Sequence, residues 1–177
     1  MTNFINFITI ARIFLAPIIL VFLIFGNYLV CVLLFFLAGL TDYFDGYFAR
    51  KYNAVSELGE ILDPIADKIL VVFILIGLSV ELDSQLMALL SSLIIAREIG
   101  VAALRDYSAR NNLSERTKVT FLAKAKTSIQ LFTIGLYLLA LAISFNLLIV
   151  ISDIFLIIAT LITLYTGYQY TLNVFKR

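Results

Sequence analysis

Apolar residues run along this chain in blocks of about 20, the length a helix needs to cross the hydrocarbon of a bilayer. Polar residues collect in the gaps between the blocks. The blocks fall at about 6–25, 28–50, 59–80, 85–104, 119–144 and 147–170, separated by connectors at 26–27, 51–58, 81–84, 105–118 and 145–146. The pattern predicts an all-α integral membrane protein of six transmembrane helices, folded as a single domain over 1–177. The first block lacks a basic leader and a small-residue cleavage site and runs on into the fold, so it reads as a span and not as a cleavable signal. No internal repeat is visible.

Composition agrees with the pattern. Of 177 residues, 62% are hydrophobic and only 14% charged, with a mean hydropathy of +1.04. Soluble domains are about 45–50% apolar and about 25% charged. Disorder, a disulfide scaffold and a collagen-like chain are excluded by the same figures. Cys31 is the only cysteine and there is no histidine, which removes internal disulfides, imidazole catalysis and imidazole metal ligation. The net charge of +1 carries little by itself, and nucleic acid is not an expected partner. The distribution of charge is more telling. All 13 Lys and Arg residues lie at the N-terminal side of the first span, in the second and fourth connectors with their flanking helix ends, or at the C-terminus. By the positive-inside rule both termini and those connectors are cytoplasmic.

The acids are placed unusually. Asp42 and Asp45 are three apart near the cytoplasmic end of the second span, and Asp63 and Asp67 are four apart at the start of the third. Both spacings put a pair on one helix face, and the short connector suggests that the two helices are neighbours. Ionisable groups at that depth are costly and generally face a functional interior. A purely structural reading would pair these acids with Arg50, Lys51 and Lys68 at the helix ends. Four carboxylates in a small volume raise one another's pKa unless something positive joins them. Hard oxygen donors without imidazole or thiolate select Mg²⁺ or Mn²⁺, and two such ions form a clamp suited to displacement at phosphorus. Gly46 and Gly59 would let a phosphate or a neighbouring helix approach the backbone, and Pro64 falls early in the third span, where a lost hydrogen bond does least damage.

The run Asp42-Tyr-Phe-Asp45-Gly46-Tyr-Phe-Ala49-Arg50, followed at fixed spacing by Gly59, Asp63 and Asp67, resembles the signature of the CDP-alcohol phosphatidyltransferases. The resemblance implies a six-helix membrane enzyme, usually a homodimer, with two divalent cations held by Asp42, Asp45, Asp63 and Asp67. It implies that Asp45, Gly46, Ala49, Arg50 and Gly59 serve CDP-diacylglycerol and that Asp67 is the general base.

The acceptor is carried by the second half. Ala96-Arg97-Glu98-Ile99, Ala103-Leu104-Arg105-Asp106, Lys124-Ala-Lys126-Thr127 and Gln130, with Asn6, Thr9, Arg12 and Pro17 at the start, are similar to the branch of that family that uses glycerol 3-phosphate. Ala123 stands where the branch often has glycine. A doubly charged phosphate needs fixed cations, and Arg97, Arg105 and Lys124 supply guanidinium and ammonium groups for it. Serine would not need them; inositol phosphate would, and it stays a competitor. Lys124, Lys126 and Arg105 also fit ordinary positive-inside decoration. Arg12 either snorkels or contacts the nucleotide lipid. Tyr43, Phe44, Tyr47 and Phe48 are expected to face lipid or adjacent helices, and Glu57 and Glu60 to be solvated. The reading is phosphatidyl transfer at the cytoplasmic face of a bacterial inner membrane, direct or through a covalent intermediate. A small cation-coupled transporter is the rival from another class, but it would need acids distributed toward the midplane.

Overall fold

The structure is a computed structural model that describes the backbone of residues 2–51, 57–111, 113 and 121–175. The side chains of 2–6, 45–51, 57, 60, 121, 123 and 124 are outside the described residues. A chain this apolar must satisfy its backbone hydrogen bonds within each segment, and the result is helix throughout: α1 (Thr2–Ile24), α2 (Tyr28–Lys51), α3 (Glu57–Glu81), α4 (Gln85–Arg110), α5 (Phe121–Ala142) and α6 (Asn146–Phe175). Four of them contain stretches long and apolar enough to cross a membrane: Phe7–Ile24, Gln85–Arg110, Ala125–Ala142 and Asn146–Phe175. The apolar part of α2 is the shorter Tyr28–Phe44, and α3 is interrupted by its own acids. The protein is therefore an all-α membrane protein.

Three tight turns join the helices in pairs. Each contains a residue in the left-handed region: Gly26 (φ 73°), Asp83 (φ 44°) and Ser144 (φ 54°). Such a residue lets the following amides fold back on the last carbonyls of the helix. Asn27 N donates to Phe22 O at 2.9 Å and Phe145 N to Ala140 O at 3.0 Å. The next helix starts at once; Ser84 caps α4 by accepting from Met87 N at 3.2 Å.

Several helices outrun their apolar blocks. α4 continues past Leu104 to Arg110, helped by an Asp106–Arg110 pair at 2.9 Å, and stops where the Asn111 amide bonds Tyr107 O at 2.8 Å. Hydropathy measures the lipid thickness, while the helix ends only where capping ends it. Arg105 thus stands on α4 and not in a loop. Because α3 begins at Glu57, Pro64 lies within it, beyond the first turn.

The packing order closes a ring, α1–α2–α5–α6–α4–α3 and back to α1, with α3 and α5 also touching across it. Among the described residues α2 and α3 form no packed seam, contrary to the expectation from their short connector, and meet at the Tyr28–Glu81 bond. α1 lies between them. The turn at Gly26 folds α1 against α2, and the missing side chain of Gly77 admits α1 to α3: a Cβ there would come within 2.6 Å of Leu23 Cδ2 and 2.7 Å of Leu20 Cδ1. Ala16, Ile19, Leu23, Ile74, Leu75 and Leu78 close this seam and belong to the buried core. Near the tight turns, Tyr28 donates to Glu81 across α2 and α3, and Tyr137 donates to Asp153 at 2.5 Å across α5 and α6.

Candidate active site

A larger set of charged side chains gathers at the end of the bundle away from the three tight turns. Asp42 is late in α2, Asp63 and Asp67 early in α3, Arg97 and Arg105 late in α4, Lys126 early in α5 and Tyr170 late in α6. Alternating helix direction brings all of these to one end.

α1 supplies the link between the acids. Arg12 is only 1% exposed, and a single guanidinium nitrogen donates to Asp42 Oδ1 at 2.6 Å and to Asp67 Oδ1 at 3.0 Å. One turn earlier, the Thr9 hydroxyl donates to Asp63 Oδ1 at 2.9 Å. Among the described residues no group of acids closes as a ready-made metal cage. Yet two carboxylate oxygens already converge on one positive atom, and Arg12 is a single positive charge against Asp42, Asp63 and Asp67. The excess negative charge and the all-oxygen donor set fit a hard divalent cation.

The opposite wall is cationic. Arg97 donates to Glu98 Oε1 at 2.9 Å and to the Thr166 hydroxyl of α6 at 2.8 Å. Lys126 of α5 bonds the same Glu98 oxygen. Arg105 donates to the Tyr170 hydroxyl at 3.0 Å, and both guanidinium groups lie over the Tyr170 ring, at 5.9 and 5.2 Å from its centroid. Gly167 makes the seat for Arg97, since a Cβ there would meet Arg97 Cγ at 2.9 Å. Between the walls is a cavity of about 450 Å³, bordered by Asp42, Asp67 and Lys68 on one side and by Arg97, Arg105 and Lys126 on the other. A second, apolar cavity of about 330 Å³ is bordered by Phe35, Phe36, Leu40 and Leu70 and meets the first at Asp42 and Asp67. Carboxylates facing fixed cations across a small chamber, open to an apolar compartment, suit a substrate with both phosphate and lipid parts.

A family model described as CDP-alcohol phosphatidyltransferase matches residues 2–166, spanning the acid motif and the α4–α5 cations. The chain belongs to this family. Curated relatives named CDP-diacylglycerol–glycerol-3-phosphate 3-phosphatidyltransferase align along nearly the whole chain. That of Rickettsia typhi is 40% identical, covering 96% of each chain. The Rickettsia bellii protein is 41% identical over 95% of this chain and 93% of its own, and the Haemophilus influenzae protein 34% over 93% and 89%.

In this transferase the structure brings Asp42, Asp67, Arg97 and Arg105 to one cavity, as their chemistry suggested, and sets Asp63 beside Thr9. Gly59 is buried in the first turns of α3. The side chains of Asp45, Gly46, Ala49, Arg50 and Lys124 lie outside the described residues. Tyr43 and Phe44 are exposed, as lipid-facing residues should be. Arg12 does not snorkel; it is buried against Asp42 and Asp67, whose charges balance its own. Glu98 and Lys126 entered from sequence only within the motifs that carry the resemblance, and Thr166, Gly167 and Tyr170 were not singled out. The signal for Glu98 was present: an acid beside Arg97 well inside an apolar run.

Proposed function

We propose that the protein transfers the phosphatidyl group of CDP-diacylglycerol to glycerol 3-phosphate, forming phosphatidylglycerophosphate and releasing CMP. The observation that carries the acceptor is the single chamber in which Arg97, Arg105 and Lys126 stand opposite Asp42 and Asp67. Guanidinium and ammonium groups take the acceptor's phosphate, which turns its free primary hydroxyl toward the carboxylates. Asp67 accepts the hydroxyl proton. The oxygen then bonds to the lipid-bearing phosphorus, and the bond from that phosphorus to the CMP oxygen breaks. Two divalent cations, Mg²⁺ or Mn²⁺, held by Asp42, Asp45, Asp63 and Asp67, supply charge neutralisation at the pyrophosphate and the departing CMP when bound. Gly46, Ala49, Arg50 and Gly59 serve the nucleotide end of the donor. The apolar cavity beside Phe35 and Phe36 suits its diacylglycerol end, because it joins the polar chamber at Asp42 and Asp67.

In this reading α2 and α3 cross the membrane with the other four helices, the Lys- and Arg-bearing end is cytoplasmic, and the membrane is a bacterial cytoplasmic membrane. Water-soluble CMP and glycerol phosphate then meet a lipid donor at the bilayer surface. A homodimer belongs to the same reading, and the mass of the purified protein in detergent tests it. The deciding experiment measures CMP release from CDP-diacylglycerol against glycerol 3-phosphate, serine, inositol phosphate and phosphatidylglycerol. Release with glycerol 3-phosphate alone is the expected result. Preference for inositol phosphate or serine would reassign the acceptor, and no release with any of the four would remove the transferase reading in favour of transport.

A further inference from the structure

We propose that α1 is the outer layer of the metal site: Thr9 and Arg12 are positioning residues that orient the carboxylates of α2 and α3. This rests on the reading of those carboxylates as cation ligands. Thr9 and Arg12 are three residues apart, so they share a helix face, and both are fully buried. Each of the motif's three aspartates with described side chains receives its bond from α1 through the same oxygen, Oδ1: Asp63 from Thr9, and Asp42 and Asp67 from Arg12. None of these bonds uses Oδ2. A carboxylate is otherwise loosely held about its last torsion, which has a broad, twofold preference. Anchoring one oxygen fixes the plane of the group and aims the other.

Several hydroxyls of the bundle bond within their own helices. Ser79, Thr133, Ser152 and Thr160 donate to the carbonyl four residues back on their own helices. The Thr9 hydroxyl reaches out of its helix to α3, 54 residues away in sequence. Groups that hydrogen-bond metal ligands in this way commonly carry ten- to a hundredfold in metal affinity.

The test uses full-length protein in detergent and Mn²⁺ binding followed by electron paramagnetic resonance, with no turnover required. Thr9→Val keeps the shape and removes the donor; Thr9→Ser keeps the donor. The expected result is Mn²⁺ affinity about ten- to a hundredfold weaker for Thr9→Val and near wild type for Thr9→Ser, with similar melting temperatures for the two metal-free proteins. Should Thr9→Val not fold, Arg12→Lys carries the test, because it keeps the charge and loses the planar fork; at least tenfold weaker binding is expected. Wild-type affinity in Thr9→Val or in Arg12→Lys would overturn the positioning role, as would equal weakening in Thr9→Ser and Thr9→Val. A wild-type protein that binds no Mn²⁺ would remove the metal reading itself, and this inference with it.

Discussion

Gly167→Ala tests the acceptor wall through a residue that touches no substrate. The added Cβ would stand 2.9 Å from Arg97 Cγ and 3.2 Å from its Nε. Carbon atoms settle at about 3.5–4.0 Å, so the arginine stem must move by roughly 1 Å. It cannot do so and keep both the 2.8 Å bond to Thr166 and its place over the Tyr170 ring. The guanidinium then meets the acceptor's phosphate in a strained or displaced position. A charge-assisted bond contributes about 1.5–3 kcal/mol, and about 1.4 kcal/mol is a factor of ten. Partial loss of that bond predicts a KM for glycerol 3-phosphate about tenfold higher, with the KM for CDP-diacylglycerol unchanged. The assay is a pair of saturation curves, repeated in an Arg97→Ala background. With the stem removed the new methyl has room, so Gly167→Ala should have almost no further effect there, and the coupling of the double-mutant cycle should equal the single-mutant effect. An unchanged KM in Gly167→Ala, or the same fold-rise with and without Arg97, would refute the argument.

Further outcomes follow from the same geometry. Arg105→Gln should raise the acceptor KM by about ten- to a hundredfold and leave the donor curve alone; an effect on the donor curve only would assign Arg105 to the nucleotide lipid. Glu98→Gln should lower the melting temperature in detergent more than Lys126→Met. The first leaves Arg97 and Lys126 buried together without a counter-charge, a loss of about 3–5 kcal/mol, while the second leaves Glu98 paired with Arg97 at 2.9 Å. Equal melting shifts would refute that asymmetry. Asp67→Asn should abolish CMP release while CDP-diacylglycerol still binds in the presence of metal, and near-normal turnover would remove Asp67 from the base role. Excess chelator should stop turnover and added Mg²⁺ or Mn²⁺ restore it; full activity in chelator would end the metal reading.

The helices were legible because a bilayer leaves the backbone few alternatives, and every apolar block became one helix. What hydropathy did not contain was where helices end once they leave the lipid: α1 begins at Thr2, α4 runs to Arg110 and α6 to Phe175. Nor did it contain which helices are neighbours. The connector after α2 suggested an α2–α3 pair, yet α1 packs against both, and at Gly77 a missing side chain lets it approach α3 closely. Such a contact is a property of two surfaces, and no single segment displays it.

The site divides along the same line. Asp42, Asp63 and Asp67 were legible because charge inside an apolar span demands a reason, and so was Arg97. Lys126 was read beside Lys124 within one motif, and helical geometry shows which stripe of α5 it belongs to. Residues two apart on a helix point to nearly opposite sides, so the stripe that contains Lys126 is read from positions three and four residues apart. Gln130 and Thr133 lie four and seven residues beyond Lys126, on its face and not on that of Lys124. Polar groups repeating at that interval within an apolar span mark the side turned away from lipid. The structure buries all three, with Lys126 at 5%, Gln130 at 4% and Thr133 at 1% exposure, and Gln130 continues the stripe by donating to Thr163 of α6 at 2.9 Å. The same reasoning extends to α6, where Thr163, Thr166, Gly167 and Tyr170 recur at three- and four-residue steps. Small and hydroxyl-bearing residues at that period form the surface on which Arg97 and Arg105 rest, so the cationic wall was written in the sequence as the spacing of its supports as well as of its charges.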